Sequence, residues 1–367
     1  MKWSWKIARL AGIDVYLHAT FLLLVGWLGL NYAWKGQSLG AFLQGLGFVL
    51  TIFGIIVLHE LGHALAARRY GIQTLDITLL PIGGVARMER LPEDPRQELV
   101  VALAGPAVNV AIVVLLSVLL APTILLGAFQ PPHWAGGGFL RQLLLVNVWL
   151  VLFNLIPAFP MDGGRVLRAL LARRLDYARA TRIAARVGQG LAVGFALVGV
   201  FTNPFLIFVA LFVWTGAAAE AGMVQLKSDL GGVPLGRVMV TDYVTLTPQD
   251  PLARAVEHIL AGFQQDFPVV EAGRVVGVLT RRDLVRALRA RGSQTAVGEI
   301  MQQDFQSADA SEPAEAALAR LQDGRCPALP VVEQGRLVGV LTAEHVSEFL
   351  LFKEALRRRV PPKLAVS

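Results

Sequence analysis

The chain has 367 residues, 54% of them hydrophobic and 17% charged, against about 25% charged in an average soluble domain, which excludes a disordered chain and argues against a wholly soluble one. The net charge of +7 would ordinarily suggest a nucleic-acid partner. However, residues 1–227 hold 18 Lys/Arg against 10 Asp/Glu, while residues 228–367 hold 16 against 17. The excess belongs to the hydrophobic part, so no nucleic-acid partner is expected, and a single cysteine, Cys326, excludes an intramolecular disulfide framework.

A bilayer core takes about 20 mostly apolar residues per helix. Runs of this kind fall near 17–34, 41–67, 98–121, 140–157, 185–201 and 204–223, the last two divided by Thr202-Asn203-Pro204. The first run follows Lys2, Lys6 and Arg9 but lacks a cleavage site of small residues, so it reads as a retained helix rather than a signal peptide. Arginines crowd alternate connections: Arg68, Arg69, Arg87, Arg90 and Arg96 after the second run, then Arg165, Arg168, Arg173, Arg174, Arg179, Arg182 and Arg186 after the fourth. By the positive-inside rule these connections face the cytosol. The expected architecture is a polytopic α-helical membrane protein of about six transmembrane helices over 1–227. It is multi-pass in the cell membrane, surrounded by lipid bilayer, with both termini cytosolic.

The second run carries His59-Glu60-Leu61-Gly62-His63. Residues 59 and 63 lie one helical turn apart, so their imidazoles share a face and can chelate one metal ion, and neutral imidazole suits zinc. Glu60 is placed to act as general base on a zinc-activated water. Ionisable groups at membrane depth cost about 2.5–3.5 kcal/mol or more each, so three within one turn are a poor structural accident. A catalytic zinc usually takes a third protein ligand, for which the best candidate is Asp162, in Asn154-Leu155-Ile156-Pro157-Ala158-Phe159-Pro160-Met161-Asp162-Gly163-Gly164-Arg165. Two prolines there break regular helix and two glycines permit a tight backbone; the plain alternative is a helix-capping aspartate. Between these motifs, residues 74–90, with Gly83 and Gly84, suggest a membrane-associated hairpin or an ordinary loop. Gly105-Pro106-Ala107-Val108-Asn109 opens the third run with small residues that allow close helix approach. Asn109 and Asn154 each carry two readings, as hydrogen-bond donors to an oxyanion or as polar contacts between helices.

Residues 228–367 repeat themselves at an offset of 62. Phe267-Pro268-Val269-Val270 matches Leu329-Pro330-Val331-Val332, Val276-Gly277-Val278-Leu279-Thr280 matches Val338-Gly339-Val340-Leu341-Thr342, and Met239 matches Met301. Separated matches at one offset indicate duplication of a small α/β module.

At these residues the tail resembles a tandem pair of CBS domains, with repeats at about 235–290 and 297–352. The resemblance implies a compact soluble unit that often binds adenine nucleotides (AMP, ADP or ATP), with Gly277, Thr280 and Asp283 at the ribose-binding spacing. In the second repeat Gly339 and Thr342 match, but His345 replaces the aspartate. A ligand-free, dimerising module is the other reading, which would give a homodimer through the CBS domains.

His-Glu-Leu-Gly-His, the Gly-Pro-x-x-Asn set and the Asn…Pro…Asp-Gly-Gly segment together resemble the site-2 protease family of intramembrane zinc metalloproteases. The resemblance covers about 1–225 and implies one zinc ion held by His59, His63 and Asp162, with Glu60 as base and acid. The implied substrate is a single-span membrane protein cut near the cytosolic side. It also makes the Gly83-Gly84 hairpin a candidate for pairing with an unwound substrate. A CBS-gated transporter or channel and an inactive scaffold are the competing functions. The first fits poorly with motifs gathered on one side of the membrane, and the second with a complete set of ligands and base. His18, His133, His258 and His345 offer poorer ligand positions.

Overall fold

The computed structural model describes residues 3–81, 83–90, 92–126, 138–262, 264–324 and 326–358; His133 and Ile82, and most of the connection at 122–139, lie outside them. The chain forms two compact units, Met1–Val224 and Gln225–Ser367.

The first unit opens on a hairpin of β1 (Ser4–Leu10) and β2 (Ile13–His18), turned by Ala11 and Gly12, both at positive φ (51° and 88°), the conformation of a tight two-residue hairpin turn. Then come α1 (Phe21–Trp34), α2 (Leu39–Arg68), β3 (Thr74–Leu80), β4 (Gly83–Met88), α3 (Pro95–Leu126), α4 (Phe139–Asn154), α5 (Asp162–Leu171), α6 (Tyr177–Phe201) and α7 (Phe205–Leu230). Polar side chains start several of these helices. Ser38 accepts from the Ala41 amide, Asp94 from the Arg96 and Gln97 amides, and Asp176 from the Arg179 amide.

Among the described residues, four helices are long and apolar enough to cross a bilayer: α2, α6 and α7 over their full lengths and α3 over Pro95–Ala121. The runs expected at 17–34 and 140–157 correspond to shorter helices of 14 and 16 residues. A 14-residue helix is about 21 Å long, short of a roughly 30 Å hydrocarbon core, because β2 claims the start of the first run. Large apolar side chains such as Leu23, Trp27, Phe201 and Phe208 are exposed along the helices, as expected of a surface that meets lipid rather than water.

The four strands form one sheet in the order β1-β2-β3-β4, with β2 and β3 parallel and the outer pairs antiparallel. The hairpin expected at 74–90 is therefore half of a larger sheet. One face of the sheet, through Ile13, Val15, Ile77 and Leu79, packs with Phe21 of α1 and with Phe53, Val57, Leu61 and Ala64 of α2. This contact fixes the sheet against the helix that carries the histidine pair.

In the second unit, α8 (Leu252–Ala261), β5 (Phe267–Glu271), β6 (Arg274–Leu279) and α9 (Arg281–Arg291) form one module. A second follows in β7 (Ala308–Asp309), α10 (Ala314–Asp323), β8 (Ala328–Glu333), β9 (Arg336–Thr342) and α11 (Ala343–Arg358). The duplication extends to the backbone. Ala272-Gly273 and Gln334-Gly335 make the same positive-φ turn, and both hairpins carry a bulge at the second valine of Pro-Val-Val. The segment leading into each repeat bonds to the hairpin of the other, Val240 to Val340 and Gln302 to Val278. Met239 lies where a Cβ on Gly339 would be, and Met301 where one on Gly277 would be. The two repeats are thus exchanged partners and fold as one body.

Candidate metal centre

In α2, positions 59, 60 and 63 fall within the last three turns before the arginine-rich connection. His59 and His63 are buried at 6% and 3% exposure, and Asp162, the first residue of α5, at 8%. Their ligand atoms converge. His59 Nε2 lies 3.1 Å from His63 Nε2 and 3.2 Å from Asp162 Oδ2, and His63 Nε2 lies 3.3 Å from the same oxygen. Three donors bound to one tetrahedral zinc at about 2.0–2.1 Å would sit about 3.3 Å apart, so this triangle has the size such an ion requires. His63 Nδ1 donates to the Val101 carbonyl at 2.7 Å, which fixes the tautomer and turns the Nε2 lone pair toward the other two donors. His59 Nδ1 has no hydrogen-bond partner among the described residues. Among the described residues, His59, His63 and Asp162 are those whose ligand atoms group closely enough to hold a metal ion.

Glycines make this convergence possible. A Cβ on Gly105 would overlap His63 Nε2 and lie 2.7 Å from His59 Nε2, so α3 presents bare backbone to the ligand atoms. A Cβ on Gly62 would lie 2.7 Å from the Ala104 carbonyl oxygen, and one on Gly84 would lie 3.0 Å from Glu60 Cγ. Helices α2 and α3 meet at backbone distance, and β4 crosses directly over Glu60. The segment between α4 and α5 is equally close-packed. Cβ atoms on Gly163 and Gly164 would strike the backbone of Leu155, Ile156, Ala158 and Phe159. From outside, Gly188 of α6 backs Ala158 and Gly216 of α7 backs Pro160.

The remaining candidates are more scattered. Asn109 is 1% exposed, one turn beyond Gly105, and its Oδ1 has no partner among the described residues. Asn154 ends α4 and is half-buried. Gly83 begins β4 with φ at 143° and pairs with Leu80. In the second unit, Thr280 and Thr342 line one cavity of about 710 Å³ together with Asp266, Arg281, Arg282 and Glu344. Asp283 lies beside it, accepting from the Thr280 hydroxyl at 2.7 Å and the Gln302 amide at 2.6 Å. Partial burial pushes its carboxyl up, but these hydrogen bonds outweigh that and hold it below the usual range. Gly277 instead packs against Met301.

Sequence reasoning missed a buried ionic cluster. Arg168, expected as one more cytosolic-loop arginine, is fully buried and bonded to Glu98 and Glu220. Asn147 of α4, also fully buried, escaped notice inside an apolar run. An arginine whose partners lie 70 and 52 residues away leaves no local signal.

Comparison with known proteins identifies the family. Residues 47–130 and 133–195 match the model of Peptidase family M50, and residues 235–290 and 297–351 match CBS domains. A zinc metalloprotease of Methanocaldococcus jannaschii is 37% identical over 281 residues, spanning 76% of this chain and 78% of that protein. The solved site-2 protease of the same organism is 38% identical, covers 60% of this chain and 95% of its own, and superposes with a TM-score of 0.44. A CBS domain-containing protein of Bacillus subtilis is 30% identical over 105 residues, 28% of this chain and 75% of its own. The chain belongs to Peptidase family M50, the site-2 proteases. Within that class it is a zinc metalloprotease of the membrane that carries a CBS pair.

The glycine cradle yields a first test. Gly105→Ala is expected to displace both imidazoles and lower the zinc content of the purified chain roughly tenfold or more. Gly190→Ala, whose added Cβ meets nothing within 4 Å, should leave zinc content unchanged. Equal content in the two variants would contradict the cradle.

Proposed function

We propose that the chain cleaves peptide bonds within or beside the transmembrane segment of single-span, membrane-anchored regulatory proteins. In this reading the membrane part spans six times with both termini in the cytosol, residues 1–227 form the protease and 228–367 its regulatory tail. The observation that carries the proposal is the buried triangle of His59, His63 and Asp162 beside a glutamate.

His59, His63 and Asp162 are the residues that would hold zinc, which supplies Lewis-acid polarisation of a carbonyl and a more acidic water. The chain's own groups do the rest. Glu60 takes a proton from the attacking water and returns it to the departing amine, a general base turned general acid. The His63–Val101 hydrogen bond keeps one imidazole in the tautomer a metal needs. Asn109, buried one turn from the ligands, is the candidate to orient the scissile carbonyl, with Asn154 a second one.

A helical substrate hides its scissile amides in internal hydrogen bonds, so it must unwind before attack. Among the described residues, strand β4 is one of the two edge strands of its sheet and runs over Glu60 at Gly84. Its free edge offers backbone donors and acceptors to an extended peptide, the mode known as strand addition. Gly83 and Gly84 let that peptide lie close to the base. In the tail, an adenine nucleotide occupies the cavity at Thr280 and Thr342, with Arg281 and Arg282 facing its phosphates and Asp283 near its ribose. Binding then shifts the tail between arrangements that differ in activity, which requires unequal affinity for the two. The tail also suits pairing of two chains.

Two outcomes test this reading. In vesicles with a single-span substrate, Glu60→Gln should retain zinc and lose cleavage by about 10²–10⁴-fold; cleavage equal to wild type would remove Glu60 as the base. Titration of the full chain with AMP, ADP and ATP should show saturable binding of at least one, weakened about tenfold when Arg281 and Arg282 are both changed to Ala. Absence of binding by all three would eliminate nucleotide control.

A further inference from the structure

Arg168 is an unusual residue to find without solvent contact. Its side chain is 0% exposed, and it lies in the short helix that begins with Asp162. Nε donates to Glu98 Oε1 at 2.7 Å, and Nη2 lies 2.6 Å from the same oxygen. Nη1 donates to Glu220 Oε1 at 2.5 Å. The guanidinium also lies against two rings, its central carbon 4.9 Å from the Phe159 centroid and 4.8 Å from that of Tyr177. One side chain therefore ties α5 to the first turn of α3, to α7, to the start of α6 and to the turn that leads into Asp162.

Burial of Arg168 and Glu98, with Glu220 half-buried, is a weak source of stability, since desolvation offsets most of the attraction, and well-packed neutral replacements often do as well. Geometry is what such a cluster specifies. The planar fork of arginine accepts carboxylates in its own plane and rings on its faces, so Arg168 fixes α5 in both position and rotation. Asp162 sits at the N-terminus of the same helix, and Phe159 belongs to the same turn. Phe159 also packs on Ala184, Ala185 and Ala217 beside Leu167, and Met161 packs with Ala158, Ala192 and Val213. Apolar contacts of this kind hold a backbone close but lack the directionality of a charged fork.

We infer that Arg168, with Glu98 and Glu220, is a positioning device that holds the Asp162 carboxylate at ligand distance from His59 and His63. The inference rests on the assignment of those three residues as the metal ligands. Arg168 touches no reacting atom and acts through α5 alone.

The test measures zinc affinity of the full chain in detergent by competition with a chelator, alongside the thermal midpoint with and without zinc. A neutral triple variant, Arg168→Met with Glu98→Gln and Glu220→Gln, should keep the midpoint of the zinc-free protein. It should bind zinc about tenfold more weakly or worse, the scale on which support of metal ligands acts, and the rise in midpoint on adding zinc should shrink. Tyr177→Leu, which leaves all three charges in place and removes one ring, should weaken zinc binding to a smaller degree. Wild-type zinc affinity in both variants would overturn the inference, as would equal losses of midpoint with and without zinc. Asp162→Ala separates the two claims. Full zinc affinity in that variant defeats the ligand assignment, whereas loss there with wild-type affinity in the triple variant defeats the positioning role alone.

Discussion

Two imidazoles and a carboxylate are held within 3.3 Å of one another, largely buried, between helices of a membrane protein. Desolvating three such groups is costly unless something of opposite charge lies among them, and most of the first unit is organised around keeping them there. Helix α2 supplies two of the groups from one face, which needs only the periodicity of a helix. The third comes from 99 residues beyond His63, so it depends on tertiary structure. Gly62 and Gly105 allow α2 and α3 to approach at backbone distance, and Gly163, Gly164, Gly188 and Gly216 allow the Asp162 turn to fill the space between α4, α6 and α7. In lipid, where apolar surface gains little by leaving the solvent, such close backbone packing is the main source of helix association.

The sheet adds a second constraint. Its core face is locked to α1 and α2, so β4 lies over Glu60 as a consequence of packing rather than of a flexible loop. Among the described residues, that leaves an edge strand of the sheet beside the Glu60 side chain. The CBS pair follows a different logic, in which each repeat completes the hairpin of the other through Val240 and Gln302. Gly277 and Gly339 are glycine because Met301 and Met239 occupy the space a side chain would need.

Much of the site was legible because its chemistry is expensive in an apolar run. Histidine, glutamate and histidine in one helical turn stand out against aliphatic neighbours, and two prolines ahead of Asp162 mark an irregular backbone. The repeats were legible because duplication leaves matches at a fixed offset. What escaped notice depended on distant partners. The hairpin of β1 and β2 escaped notice, since Lys6, Arg9 and Asp14 interrupt its apolar character and its pairing to β3 is non-local. Arg168 resembled the solvated arginines around it, and only Glu98, Glu220, Phe159 and Tyr177 together reveal it as buried. Helix α1 is shorter than the apolar run that marks it because the run extends back into β2.

The central claim is that His59, His63 and Asp162 hold one zinc ion. Zinc K-edge X-ray absorption on the purified full chain tests it most directly. The account predicts a first shell of nitrogen and oxygen at about 2.0–2.1 Å, with the outer-shell scattering of two imidazoles. A shell containing sulfur at about 2.3 Å, or one without imidazole scattering, would contradict it.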